Sequence, residues 1–210
     1  MIGKIALLGD SVFDNSAYTG GEPDVVTHLQ ATLPTGWQAS LLAIDGSVTT
    51  DLQAQLRRVK DESHIVISLG GNDALMSSNL LYMPVSSTAD ALAMFGERID
   101  RFEQAYRSAI HATLKLGRDT TICTIYNGNL GEIEAPLARI GLMMFNDVIL
   151  RIAFERHLSV IDLRLVCTDP LDYANQIEPS GRGGRKIAAA IARALGLGRG
   201  GSACAHVYAA

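Results

Sequence analysis

Along nearly the whole chain, apolar runs of strand length alternate with longer amphipathic stretches. No other feature limits the fold as strongly. Strands that take turns with helices pair in parallel, because each helix crosses one face of the sheet and returns the chain to the same edge. The strand candidates are residues 4–8, 38–43, 64–69, 120–126 and 158–163. They predict an α/β fold, with a five-stranded parallel sheet covered by helices on both faces. The helix candidates are residues 24–33, 50–59, 89–116, 136–156 and 184–195, with Asp24 and Thr50 as starting caps. In the longest, Leu92, Ile99, Phe102, Tyr106, Ile110 and Leu114 recur on one face, which reads as a core stripe.

With 210 residues and a hydrophobic share of 48%, the chain can bury a sizeable core, and residues 1–197 read as a single domain. Residues 198–210 turn to Gly, Ser and Ala, the composition of a poorly ordered tail. Residues 77–87 mix Ser, Asn, Pro and Met between a strand and a helix and predict a loop over the carboxyl edge of the sheet, placed to touch substrate. A net charge of −4 without basic runs argues against nucleic acid as a partner. No stretch reaches the roughly 20 apolar residues of a membrane span, and Met1-Ile2-Gly3-Lys4 leads into a strand without a leader pattern, so a cytoplasmic location is expected. Cys123, Cys167 and Cys204 are odd in number and lack metal-type spacing, so buried reduced thiols are expected.

Three short motifs follow three successive strands and would therefore share one edge, where open parallel sheets place their active sites. The first is Gly9-Asp10-Ser11, whose turn exposes a hydroxyl and can aim N–H groups at an anion. Turns and helix starts use the same residues, so the triplet alone also reads as structure. The second is Asp45-Gly46-Ser47, in which the glycine serves either a ligand-facing N–H or a turn of positive φ. The third is Gly70-Gly71-Asn72-Asp73, in which Asn72 can present its amide to a developing oxyanion and Asp73 can cap the next helix.

With these motifs the chain resembles the SGNH hydrolases, also called the GDSL esterase and lipase family. The resemblance covers the blocks at Gly9-Asp10-Ser11, at Gly46 and at Gly70 to Asp73, and the spacing of a final block before the last helix. It implies a flavodoxin-like three-layer α/β/α sandwich. It also implies that Ser11 is the nucleophile and that the N–H groups of Ser11 and Gly46, with the Asn72 side chain, form the oxyanion hole.

The final block departs from the family's pattern, Asp-x-x-His followed by Pro. Here it reads Asn175-Gln176-Ile177-Glu178-Pro179-Ser180, which puts Glu178 in the place of the histidine base and Asn175 in that of the aspartate. Other histidines are poorly placed. His64 and His157 precede strands, His28 and His111 fall within helices, and only His206 in the tail could reach back. Glu178 can act as base toward Ser11, or it can cap the last helix or pair with Arg182 or Arg185. An ordinary Glu, with a pKa of about 4.3, accepts protons poorly near neutral pH, but burial raises that value. Asp172 and Tyr173 precede the block and could orient Glu178 or line the pocket.

Asp10, Asp45 and Asp73 could in principle hold a magnesium ion, yet caps and turns explain them without a metal, and no cofactor is implied. Cys167 follows the fifth strand without a histidine and reads as an inert thiol. The leading reading is a serine hydrolase that cleaves a small-molecule carboxylic ester, with Ser11, Gly46, Asn72 and Glu178 catalytic and Asp10, Asp73 and Asn175 supporting or binding substrate. The alternative is a catalytically silent domain that binds an acyl or glycan ligand in the same cleft. A metal-dependent phosphatase on the same scaffold is a third reading.

Overall fold

In the computed structural model, residues 3–198 and Val207 are described. Among them, five strands form an all-parallel sheet in the order β2-β1-β3-β4-β5: β1 (Lys4–Gly9), β2 (Gln38–Leu41), β3 (His64–Ser68), β4 (Asp119–Cys123) and β5 (Ser159–Ile161). The helices are α1 (Val25–Thr32), α2 (Leu52–Leu56), α3 (Gly71–Leu75), α4 (Thr88–Leu114), α5 (Glu134–Glu155) and α6 (Gly181–Ala194). The strand order is that of flavodoxin-like folds. Among the described residues, no helix is long and apolar enough to cross a membrane. The expected tail, with His206 and Cys204, lies outside the described residues except for Gly198 and Val207.

Side chains that alternate along a strand build two separate cores. Ile5 and Leu7 of β1 join Val66, Val25, Leu29, Ile187 and Ile191 on the face covered by α1 and α6. Ala6 and Leu8 join Ile65, Ile67, Leu52, Phe102, Tyr106 and Ile149 on the face covered by α2, α4 and α5. The result is the three-layer α/β/α sandwich. Further along α4 and α5, Glu103 pairs with Arg107 and Arg151, and Arg107 with Glu155, which ties the two helices together.

Several elements differ from the sequence expectation: β4 stops at Cys123 and β5 at Ile161, α3 lies outside the helix candidates, Ser78–Tyr82 of the expected loop forms a 3-10 turn, and three more differences concern the start of α2, the end of β2 and the stripe of α4. Thr50 does not cap a helix: Thr49–Asp51 is a 3-10 turn, closed by the Asp51 carboxylate on the Val48 N–H at 2.9 Å, and α2 stops at Leu56. β2 ends at Leu41 because the N–H groups of Leu42 and Ala43 both donate to the Leu7 carbonyl, which breaks the ladder. The α4 stripe is core only from its middle onward. Leu92 is 65% exposed, while Phe102, Tyr106 and Ile110 are buried.

β1 pairs with β2 on one side and β3 on the other, so the carboxyl ends of β1 and β3 mark the point where the chain changes direction across the sheet. Such a point is where open α/β sheets bind ligands. Gly9 is required here. Its φ is +138°, and a Cβ would fall 1.9 Å from the Ser68 carbonyl oxygen.

Candidate active site

The turn after β1 is wound by local bonds. The Asp10 carbonyl accepts from the N–H groups of Phe13 and Asp14, and its Oδ1 from the Val12 N–H at 3.1 Å. This leaves Ser11 at the floor of a cleft of about 330 Å³, also lined by Asp10, Asn72 and Glu178. The Ser11 hydroxyl, 8% exposed, donates to Glu178 Oε1 at 3.1 Å.

Apart from the Ser11 bond to its carboxylate, Glu178 is held by the turn that carries it. Asn175 Oδ1 accepts the N–H groups of Ile177 and Glu178, each at 2.9 Å. Asn15 reaches from the first motif to donate to the Pro179 carbonyl, and its Oδ1 accepts from the Val25 N–H. Tyr126 donates to the Ile177 carbonyl. The other carboxylate oxygen, Oε2, is buried with no hydrogen-bond partner among the described residues. Burial therefore moves the Glu178 pKa up, opposed in part by the bond from Ser11.

Neither helix capping nor an arginine occupies Glu178. Ser180 caps α6 by accepting from the Gly183 N–H, Arg182 pairs with Asp169 and Asp172, and Arg185 is exposed. The side chains of Asp172 and Tyr173 make no hydrogen bond to Glu178, but their backbone closes the turn that carries it: Tyr173 bridges Pro179, and the Asp172 carbonyl accepts from the Ser180 N–H. Asp172 is fully buried against Arg182 and Lys186, and the Tyr173 hydroxyl donates to the Cys167 carbonyl.

The second and third motifs interlock. Asn72, in the first turn of α3, donates through Nδ2 to the Ser47 carbonyl at 2.9 Å, which fixes its amide and leaves that group's second hydrogen free. Asp73 caps no helix. Its Oδ2 accepts from both the N–H and the hydroxyl of Thr49, and burial outweighs these bonds to raise its pKa. Ser47 N donates to the Ile44 carbonyl across a turn in which Gly46 has a φ of +76°, a conformation that favours glycine. Gly46 is exposed and stands beside the cleft rather than in its wall. Among the described residues, neither the Ser11 N–H nor the Gly46 N–H has a hydrogen-bond partner.

Asp10 is 3% exposed, and burial pushes its carboxyl up to about 7, with the nearby Glu178 and Asp73 charges adding to the rise. Asp45 accepts from the Tyr18 hydroxyl, so the three aspartates of this edge serve different contacts. Among the described residues, no group of three or more His, Cys, Asp or Glu side chains is placed to hold a metal ion. None of the described histidines lines the cleft. Cys123 and Cys167 are buried, and burial pushes the Cys167 thiol up to about 12, far from a reactive thiolate.

Sequence reasoning missed two amide side chains that hold this edge. Gln55 is fully buried. It accepts from the Gly9 N–H and donates to the Gly9 carbonyl, each at 2.8 Å, and it donates to the Ser47 hydroxyl at 3.1 Å. Asn146 does the same for Ile125, accepting its N–H and donating to its carbonyl, each at 2.8 Å. The available signal was a polar residue on an apolar helix face: Gln55 between Leu52 and Leu56, and Asn146 beside Phe145 and Ile149.

The cleft residues come from blocks spread along most of the chain, and the comparisons cover the same span. The model of the GDSL-like lipase/acylhydrolase family matches residues 7–186. Among solved structures, a lipase from a goat rumen metagenome superposes with a TM-score of 0.72 at 20% identity, covering 94% of this chain and 99% of that one. An acetyl xylan esterase from Geobacillus stearothermophilus gives 0.69 at 22% identity, with 96% and 99% covered. An extracellular lipase from Streptomyces rimosus gives 0.67 at 15% identity, with 91% and 99% covered. None of the curated proteins matches the chain at a significant level. With most of its length matched by one family model, the chain belongs to the GDSL-like lipase/acylhydrolase family.

Proposed function

We propose that the protein hydrolyses a small carboxylic ester through an acyl-enzyme on Ser11, with Glu178 as the proton acceptor. The observation that carries this reading is the 3.1 Å bond from the Ser11 hydroxyl to a buried carboxylate that has no cationic partner among the described residues. A carboxylate stabilised by a cation would hold its charge and accept a proton weakly; one raised by burial is a better base near neutral pH.

In the first half-reaction Ser11 Oγ attacks the ester carbonyl as its proton passes to Glu178. The oxyanion is received by the Ser11 and Gly46 N–H groups and the free amide hydrogen of Asn72. Collapse expels the alkoxide, which takes the proton from Glu178 and leaves as the alcohol. In the second, Glu178 deprotonates a water that attacks the acyl-Ser11 carbonyl, and the proton returns to Ser11 Oγ as the acid departs. A histidine base needs an acid to set its tautomer, whereas a carboxylate has no tautomer to set. The supporting residue therefore has a different task here: Asn175 holds the backbone of the turn, and an uncharged side chain performs that task.

The test is the pH–rate profile on a small p-nitrophenyl ester, for the parent beside Ser11→Ala. Turnover that depends on Ser11 and rises through one carboxylate-like ionisation supports the mechanism. A rate equal to that of Ser11→Ala at every pH overturns it and leaves a domain that binds its ligand in the cleft without turning it over.

A further inference from the structure

The cleft is far larger than an acetyl group needs, and its wall becomes apolar away from Ser11. Beyond Asn72 it runs along Ala74, Phe95, Ala138, Gly141, Leu142 and Phe145, which belong to α3, α4 and α5. These elements cover one face of the sheet, whereas Glu178 arrives with the turn before α6, which covers the other face. The leaving alcohol must lie near Glu178 to receive its proton, so the acyl part of the substrate faces the α4 and α5 side. At about 330 Å³ the cleft falls within the size range of pockets that enclose a drug-sized ligand, so it has room for a chain well beyond an acetyl group.

Gly141 gives this space a purpose. It sits within the 22 residues of α5, where glycine weakens a helix relative to alanine. Packing does not demand it, since a Cβ built there meets no atom within 4 Å, and its φ is not positive. It lines the cleft, so a side chain at this position has room that a ligand would otherwise use.

Resting on the ester-hydrolase reading, we infer that the cleft is an acyl-chain subsite for an unbranched medium-chain ester, with its depth set by Gly141. Each buried methylene then raises kcat/KM by about three- to four-fold until the subsite is full. Filling the subsite lowers the preference for long chains and, because alanine is the better helix former, Gly141→Ala raises thermal stability rather than lowering it.

The experiment compares p-nitrophenyl acetate, butyrate, hexanoate and octanoate on the parent, Gly141→Ala and Gly141→Phe. It also measures octanamide binding to the same three proteins by thermal shift. Octanamide is neutral, which avoids repulsion from Asp10 and Glu178, and its binding needs no turnover. The expected result is a parent kcat/KM that climbs to the octanoate, an octanoate-to-acetate ratio at least tenfold lower in Gly141→Phe, and octanamide stabilisation of the parent that Gly141→Phe loses. A parent that prefers acetate, or a ratio unchanged in Gly141→Phe, overturns the inference while leaving ester hydrolysis standing. If no ester is turned over, the hydrolase reading fails, and octanamide binding decides the subsite alone: stabilisation lost in Gly141→Phe supports it, and no stabilisation of the parent refutes it. Gly141→Ala, which favours the helix, separates a filled subsite from a misfolded protein.

Discussion

Gln55 holds Gly9 by both of its backbone polar groups, accepting the N–H and donating to the carbonyl at 2.8 Å each. The same amide donates to the Ser47 hydroxyl, so one side chain joins the strand end that carries Ser11 to the loop that carries Gly46. Gln55→Leu leaves the Gly9 N–H buried and unpaired, while the Gly9 carbonyl keeps its bond from the Ile44 N–H. It is expected to cost roughly 1–3 kcal/mol of stability. Urea unfolding measures this, and a loss below about 0.5 kcal/mol would show that water or a shifted backbone replaces the amide.

The contact between Ser11 and Glu178 yields a sharper expectation. Glu178→Gln keeps the shape and removes the proposed base, and kcat is expected to fall by about 10²–10⁴-fold. Glu178→Asp withdraws the carboxylate by one methylene from a bond that is already 3.1 Å long, and its loss should approach that of the glutamine variant. The base works only when unprotonated, so parent activity disappears as pH falls through the raised Glu178 pKa. In Glu178→His the acid limb should move toward the histidine range of about 6.5. A limb that stays in place in the histidine variant would assign the ionisation to another group.

Asn72→Ala removes one of the proposed oxyanion donors and also leaves the Ser47 carbonyl without its partner. A fall in kcat of about 10²–10³-fold with KM changed little is the expected pattern, since the donor acts on charge that develops in the transition state. A rise in KM alone would place Asn72 in ground-state binding.

The strand and helix alternation made the sheet legible, because it follows from periodicity, and the three motifs at the carboxyl edge were legible because each directly follows an apolar run. What the sequence hid was how those motifs are joined. Asp73 looked like a cap and instead ties Thr49 to α3, and Gln55 looked like one more helix residue. Both act across long separations in the chain, and no local pattern encodes such a bond. Leu92 failed for a related reason: a helical stripe shows which face is apolar but not how much of that face is covered.

Asp10 carries the last prediction. Its carboxyl is buried, accepts the Val12 N–H, and is pushed up to about 7, whereas in the unfolded chain it titrates near 3.8. Between those two values the folded protein holds a proton that the unfolded chain has released, so stability falls as pH rises. The contribution is fully present below about pH 4 and lost as pH passes through about 7. Glu178 shifts in the same direction and adds to the slope. Asp10→Asn keeps an acceptor for the Val12 N–H and removes the titration, so the variant should be more stable than the parent at pH 8, by roughly 1–3 kcal/mol, and nearly equal to it at pH 4. Thermal unfolding from pH 4 to pH 8 measures both slopes, and parallel curves for the two proteins would mean that Asp10 remains ionised in the folded state.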